Sequence, residues 1–278
     1  MKSIFIFQIY YDQTSKQKLD PGFLPLDNTK NNRPDWYELW SIKNFLKTHT
    51  LEEDSWYGFL SPKFYKKTGL TSEQINTFLH ESDNDATIAL ISYAWDQIAY
   101  FRNPFEQGEI WHPGLTHLAQ AALLHLGYNV YLDELITHSG NFTFSNYIIA
   151  KPPYWRKWEV LATALFDLIE EPSTQLSRAL RNLTSYGSQS NLAPMKTFIQ
   201  ERLPSVILST NEFRTITLDN SATFPIFERI FNVNDTTRER LKICDSLKKK
   251  YCESKNTYFL DLYEETRKLI SINKYLYL

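Results

Sequence analysis

Residues 3–10, SIFIFQIY, constrain the fold most: an unbroken β-branched and aromatic run of this length reads as a buried strand. Beyond it the chain alternates between helical and strand patterns. Asp35 is placed to cap a helix over 36–47, with Glu38 three residues on as in a capping box. Trp56–Leu60 reads as a strand ended by Ser61-Pro62, and Thr71 with Gln74 forms a capping box before a helix over 72–80. Asp83-Asn84-Asp85 marks a turn before a strand over Ala86–Tyr93. Helices are expected over 95–106 and 114–126, the second ending at Gly127, and strands over Asn129–Leu132 and Ser145–Ala150. Lys151-Pro152-Pro153 opens a further helix through Glu171. This order predicts an α/β fold with a mostly parallel sheet flanked by helices. Residues 12–34 are left as a long loop. After Pro172 the pattern changes: 173–194 is a loop or short helices, and 195–208, 223–232, 236–253 and 256–272 have helical periodicity. The expected organisation is therefore a domain over 1–171 with a mainly helical region over 172–278 packed on it.

Composition narrows the class. Apolar residues make up 42% of 278, enough for a substantial core. A net charge of −2 argues against a partner held by phosphate neutralisation, so no nucleic acid is expected. Cys244 and Cys252 form neither a disulfide framework nor a zinc site, which favours a reducing compartment. The opening apolar stretch is too short for a signal sequence, and no apolar run reaches membrane-spanning length. Walker, dinucleotide-binding, H-E-x-x-H and G-x-S-x-G motifs do not occur.

Four segments carry candidate chemistry. Asp83 and Asp85 have the spacing of a D-x-D that holds Mn²⁺ or Mg²⁺ against a diphosphate, although the same tripeptide is an ordinary turn. The stretch PFEQGEIWHPGL offers Glu109 and His112 as a general base, or a packed histidine in a helix-end loop. Asp27, Asn28 and Arg33 sit in the long loop, with Arg33 suited to a diphosphate and Asp and Asn to ribose or a base edge. Asn146 and Tyr147 at a strand mouth, followed by Trp155, suit an acceptor sugar. Trp155 and Trp158, three apart on a helix, equally fit a core.

Together the segments FQIYYDQ, LDPGFLPLDN, RPDWYELWSIKNFL, DSWYGFLSPKFYKKTGL, FEQGEIWHPGL and SNYIIAKPPYW resemble bacterial glycosyltransferase-like proteins of capsule and O-antigen clusters, over roughly residues 3–160. The resemblance implies a GT-A-like fold, a nucleotide-sugar donor and a polysaccharide or lipid-linked glycan acceptor. It implies that Gln8, Tyr10, Asp27, Asn28, Arg33, Ser61 and Lys63 line the donor site, and that Asn146 and Tyr147 face the acceptor. In an inverting reaction Glu109 is the first choice of base and Asp96 the second. The D-x-D precedes its strand, so Arg33, Lys63 or a helix N-terminus is the alternative stabiliser of the leaving diphosphate. A cytoplasmic location is expected, with peripheral membrane contact through Lys248-Lys249-Lys250 and Tyr275–Leu278. A nucleotidyl- or phospho-sugar transferase and a non-catalytic carbohydrate-binding or scaffold protein are the alternatives.

Overall fold

The computed structural model describes residues 3–82, 85–91, 93–185, 192–210 and 212–273. β1 (Ile4–Tyr10) is followed by the one-turn α1 (Gln13–Lys16) and β2 (Leu24–Asp27). A 3-10 turn at Pro34–Trp36 leads into α2 (Tyr37–Thr48), β3 (Trp56–Leu60), α3 (Phe64–Thr68) and α4 (Ser72–Glu81). Next come β4 (Ile88–Leu90), α5 (Trp95–Tyr100), α6 (Pro104–Trp111), α7 (Leu115–His125), β5 (Ile148–Ala150) and α8 (Pro152–Glu170). The chain continues through α9 (Gln175–Arg181), the paired β6 (Leu183–Ser185) and β7 (Leu192–Pro194), α10 (Met195–Gln200) and α11 (Leu203–Leu208). It closes with β8 (Thr215–Thr217), α12 (Asp235–Ser254) and α13 (Thr257–Lys268).

Six of these strands form one sheet in the order β2-β1-β3-β5-β4-β8. β5 runs antiparallel to both neighbours, and the other pairings are parallel. The carboxyl ends of β1, β2, β3, β4 and β8 therefore share one edge, and β5 starts from that edge. Side chains alternate across the sheet as the period of two requires. Ile9, Tyr57, Phe59, Leu90 and Ile148 meet α2, α7, α8, α10 and α11 on one face. Ile6, Trp56, Leu60, Ala89 and Ile149 meet Phe64, Ile75 and Leu79 of α3 and α4 on the other. Coverage on both faces explains why β3, β4 and β5 are buried at every position while the edge strand β2 is largely exposed. A third cluster joins α5 to α12 and α13 through Tyr100, Phe231, Leu241 and Tyr263. No helix among the described residues is long and apolar enough to cross a membrane.

Several elements depart from the sequence reading. Asn129–Leu132 is not a strand, because the Gln120 side chain supplies the pairing a neighbouring strand would give. Its amide donates to Val130 O (2.9 Å) and its carbonyl accepts from Leu132 N (2.7 Å). The helix expected over 95–106 breaks at Asn103, whose side-chain Oδ1 caps α6 by accepting from Phe105 N and Glu106 N. Residues 223–232 form no helix but turns and irregular chain, with Phe231 in a bridge to Ile272; Pro225 interrupts the helical periodicity, and the apolar positions join the third cluster instead. β2 forms inside the expected loop, and β8, from the region after 172, completes the far edge of the sheet. Asp35 does not cap α2. It pairs with Arg33 and Lys196.

The basic run on α12 is split three ways. Lys248 is fully buried, and its ammonium donates to Ile98 O (2.5 Å) and Phe101 O (2.6 Å) at the end of α5. Lys249 faces outward, and Lys250 lies over the Phe259 ring. The run thus presents no single basic face; Tyr275–Leu278 lie outside the described residues. Burial depresses the Lys248 pKa to about 8, against the opposing pull of Asp245. The unfolded chain keeps this proton up to an ordinary lysine pKa of about 10.5. Between those values the unfolded state binds more protons, so stability from this group rises with pH. Urea unfolding of Lys248→Met beside the parent chain is expected to show the parent gaining on the variant, by about 3 kcal/mol, between roughly pH 8 and 10.5. A difference independent of pH would contradict this.

Candidate functional site

The order β2-β1-β3 places a topological switch point at the carboxyl ends of β1 and β3: the chain leaves β1 to one side and returns to the other. Ligands of open parallel sheets bind in the crevice at such a point. A groove opens there in two lobes that share Tyr11, Tyr37, Glu38 and Pro62. The larger lobe, about 360 Å³, is walled by Ile9, Tyr11, Pro34 and Tyr37, with the amide side chains of Asn28 and Asn31. The smaller, about 170 Å³, is lined by Ser61, Lys63, Lys67, Asn146, Thr197 and Glu201.

The smaller lobe is built for polar contact. The Lys67 ammonium donates to Ser145 Oγ (3.1 Å) and lies over the rings of Tyr93 (5.2 Å) and Tyr147 (5.6 Å). Burial opposes its charge, but the Tyr93 and Tyr147 phenols and the Glu201 and Glu38 carboxyls outweigh it, so its pKa is raised. Burial is the main cause of a raised Glu201 pKa, with Lys67 and Arg202 pulling it down and Glu38 pushing it up. Asn146 and Thr197 are only 5% and 2% exposed, and Asn146 Oδ1 and Thr197 Oγ1 have no hydrogen-bond partner among the described residues. An unpaired buried acceptor is destabilising by about 1–3 kcal/mol, and a ligand that supplies the partner recovers it. The backbone is strained at the same place: Tyr37 (φ 46°, ψ −133°), Ser145 (φ 55°) and Asn146 (φ 55°) are non-glycine residues at positive φ. Such conformations persist where surrounding structure enforces them, commonly at ligand sites.

The groove gathers only some of the residues singled out in the sequence. Asn28, Ser61, Lys63 and Asn146 line it. Tyr147 stands behind it, its hydroxyl 2.9 Å from Ser61 Oγ. Gln8 is a buried clamp: its amide donates to Ser61 O (3.3 Å) and its carbonyl accepts from Asp20 N (2.8 Å). Tyr10 faces away and bonds Asp27, which also accepts from Thr29 N. Arg33 is taken up by Asp35 and by Glu170 (2.7 Å), a network with Lys196 and the Trp36 indole that fixes the wall carrying Tyr37 and Glu38. Trp155 is core; its indole N–H donates to Tyr57 O and Ala150 O.

Comparison with family models, curated proteins and solved structures finds no match.

The chain's own geometry therefore carries the site, and it moves the proposed bases. Glu109 caps α7, its oxygens accepting from Gly114 N (2.6 Å) and Thr116 N (2.8 Å). His112 is stacked on Phe198, and burial and then Arg202 lower its pKa to about 4, so it is neutral. Asp96 is wholly buried beside Phe227 N, which donates to it (2.7 Å); burial raises its pKa. None of the three lines the groove. Asp83 lies outside the described residues. Asp85 pairs with Arg214 at the amino end of β4, the sheet edge opposite the groove. No group of three or more His, Cys, Asp or Glu side chains that could hold a metal ion occurs among the described residues.

Lys67, Glu201, Thr197 and Tyr37 were not singled out from sequence, although two signals exist. Lys67 follows Lys63 by four residues, which stacks them on one side of α3. Glu201-Arg202 interrupts an apolar stretch, and charges that join a core are rarely there without a partner or a task.

Proposed function

We propose that this chain is a glycosyltransferase of bacterial cell-surface polysaccharide synthesis, on a GT-A-like sheet, and that the groove at the β1 and β3 ends takes the nucleotide-sugar. The observation that carries this reading is the groove itself: a two-lobed crevice at a sheet switch point with two cations, two carboxyls and an unpaired amide in one lobe. The larger lobe suits a planar base and ribose, with Tyr11 and Tyr37 as walls and Asn28 and Asn31 for polar edges. The smaller lobe suits the sugar and diphosphate.

In this scheme Glu201 is the base, and it displaces Glu109 and Asp96 from that role. Its carboxylate takes the proton of the acceptor hydroxyl as that oxygen attacks the anomeric carbon. The bond from that carbon to the diphosphate oxygen breaks, and its electron pair leaves with the nucleoside diphosphate. Lys63 and Lys67 offset the developing charge. The product has inverted configuration.

A thermal-shift series with UDP, GDP and CMP, with and without Mn²⁺, tests the binding half. At least one nucleotide is expected to stabilise the parent chain. Lys67→Met is expected to weaken that binding about 10- to 100-fold, the value of one charge-assisted contact of ~1.5–3 kcal/mol. If no nucleotide stabilises the protein, the donor-site assignment fails.

A further inference from the structure

The two lobes of the groove meet at Tyr11, Tyr37, Glu38 and Pro62, and Glu38 brings the only carboxylate to that junction. It stands half-buried in the first turn of α2 and makes no ion pair or side-chain hydrogen bond among the described residues. Burial and then the Glu38 charge raise the Tyr37 pKa, which places the carboxylate close to that phenol. The wall that carries it is held from behind. Trp36 O accepts from the Gln200 amide (3.3 Å), and the Trp36 indole donates to Glu170 (2.9 Å). Tyr37, the residue just before Glu38, is fixed at φ 46° and ψ −133°, outside the regions that suit a non-glycine residue. Glu38 is thus positioned by its surroundings while both of its oxygens stay uncommitted.

Position decides what those oxygens can serve. With the base in the larger lobe and the sugar and diphosphate in the smaller, the ribose spans the junction. Ribose offers two adjacent hydroxyl donors, at its 2′ and 3′ carbons, and an ionised carboxylate is acceptor-only with an oxygen for each. The neighbouring carboxylates are spent or placed elsewhere. Asp27 accepts from Thr29 N (2.8 Å) and from the Tyr10 hydroxyl and lines neither lobe. Asp35 pairs with Arg33 and Lys196. Glu201 lines the smaller lobe but not the larger.

We infer that Glu38 grips the ribose 2′ and 3′ hydroxyls at the junction, so that the groove takes a ribonucleotide-sugar and discriminates against a 2′-deoxyribonucleotide-sugar. This rests on the groove being the donor site. A 2′-deoxyribose leaves one carboxylate oxygen without its donor, and a site built to bond a hydroxyl disfavours the analogue that lacks it.

Calorimetric titration of the full chain with UDP, GDP and CMP, and with the 2′-deoxy form of each, tests it. The nucleotide that binds is expected to do so at least about 10-fold more tightly than its 2′-deoxy form, the value of one charge-assisted hydrogen bond. Glu38→Ala is expected to cut that preference below about 3-fold, and Glu201→Gln to keep it. The ratio is the readout, because removing a negative charge beside the diphosphate changes the affinity of both forms alike. Alanine suits the α2 helix, and melting temperatures of the free variants confirm that they fold. Equal affinity of the parent chain for the two forms, or a preference that survives Glu38→Ala, overturns this inference and leaves the donor site standing. Failure of every nucleotide to bind overturns both, so the two failures are distinguishable.

Discussion

Glu201→Gln is expected to lower kcat by about 10²–10⁴-fold while nucleotide binding changes only a few-fold. Glutamine keeps the shape and hydrogen bonding of the side chain but cannot accept the acceptor's proton. Burial holds the Glu201 carboxyl above its ordinary pKa despite Lys67 and Arg202, and Glu38 adds to the rise. The base works only when deprotonated, so parent activity climbs with pH as Glu201 ionises above the usual carboxylate range, and Glu201→Gln lacks that limb. Release of nucleoside diphosphate measured from about pH 5 to 9 reads both effects, and NMR of the first-formed product reads its anomeric configuration. An undiminished kcat, or a product of retained configuration, would remove Glu201 from the proton transfer.

Trp155→Ala is expected to destabilise the chain by about 3–5 kcal/mol, the range for truncating a large buried aromatic. The side chain is 1% exposed and meets Phe59, Tyr154 and Trp158 edge to face. Its indole N–H also serves two carbonyls, Tyr57 O and Ala150 O, one on each of two neighbouring strands of the central sheet. For a chain of this size the loss corresponds to a fall in Tm of roughly 10 °C. Trp155→Phe, which keeps much of the apolar volume, is expected to recover more than half of the loss. Calorimetry on both variants separates this from a sugar-binding role for Trp155, which would reduce activity without a comparable fall in Tm.

The two substitutions mark how far the sequence could be read. Trp155 was offered both to an acceptor sugar and, with Trp158 three residues on, to a core, and core is where both lie. Ser61, Lys63 and Asn146 were legible because Ser-Pro-Lys ends a strand and Asn opens one, and strand ends are where such sheets bind ligands. Gln8 and Arg33 were misplaced for one shared reason. Residue type gives the hydrogen bonds a side chain can make, but not the partner it finds first. Gln8 finds Ser61 O and Asp20 N, and Arg33 finds Asp35 and Glu170, which is 137 residues away in the chain. Glu109 is the same case: two backbone N–H groups at the start of α7 take the carboxylate that sequence offered as a base.

Local pattern by itself determined the α/β alternation, the capping box at Thr71 and Gln74, the stops at Gly127 and Pro172, and the strands β1 and β3. Each is set within a few residues by backbone sterics and side-chain periodicity. Tertiary structure alone decided that β5 runs against its neighbours, that β8 joins the sheet from the far end of the chain, and that Lys248 turns inward while Lys249 faces a cavity. It also decided that Glu201 meets Lys67 and Asn146 in one lobe. These outcomes depend on which distant groups come to lie together, and hence on burial, pairing and charge in a place that no stretch of sequence defines.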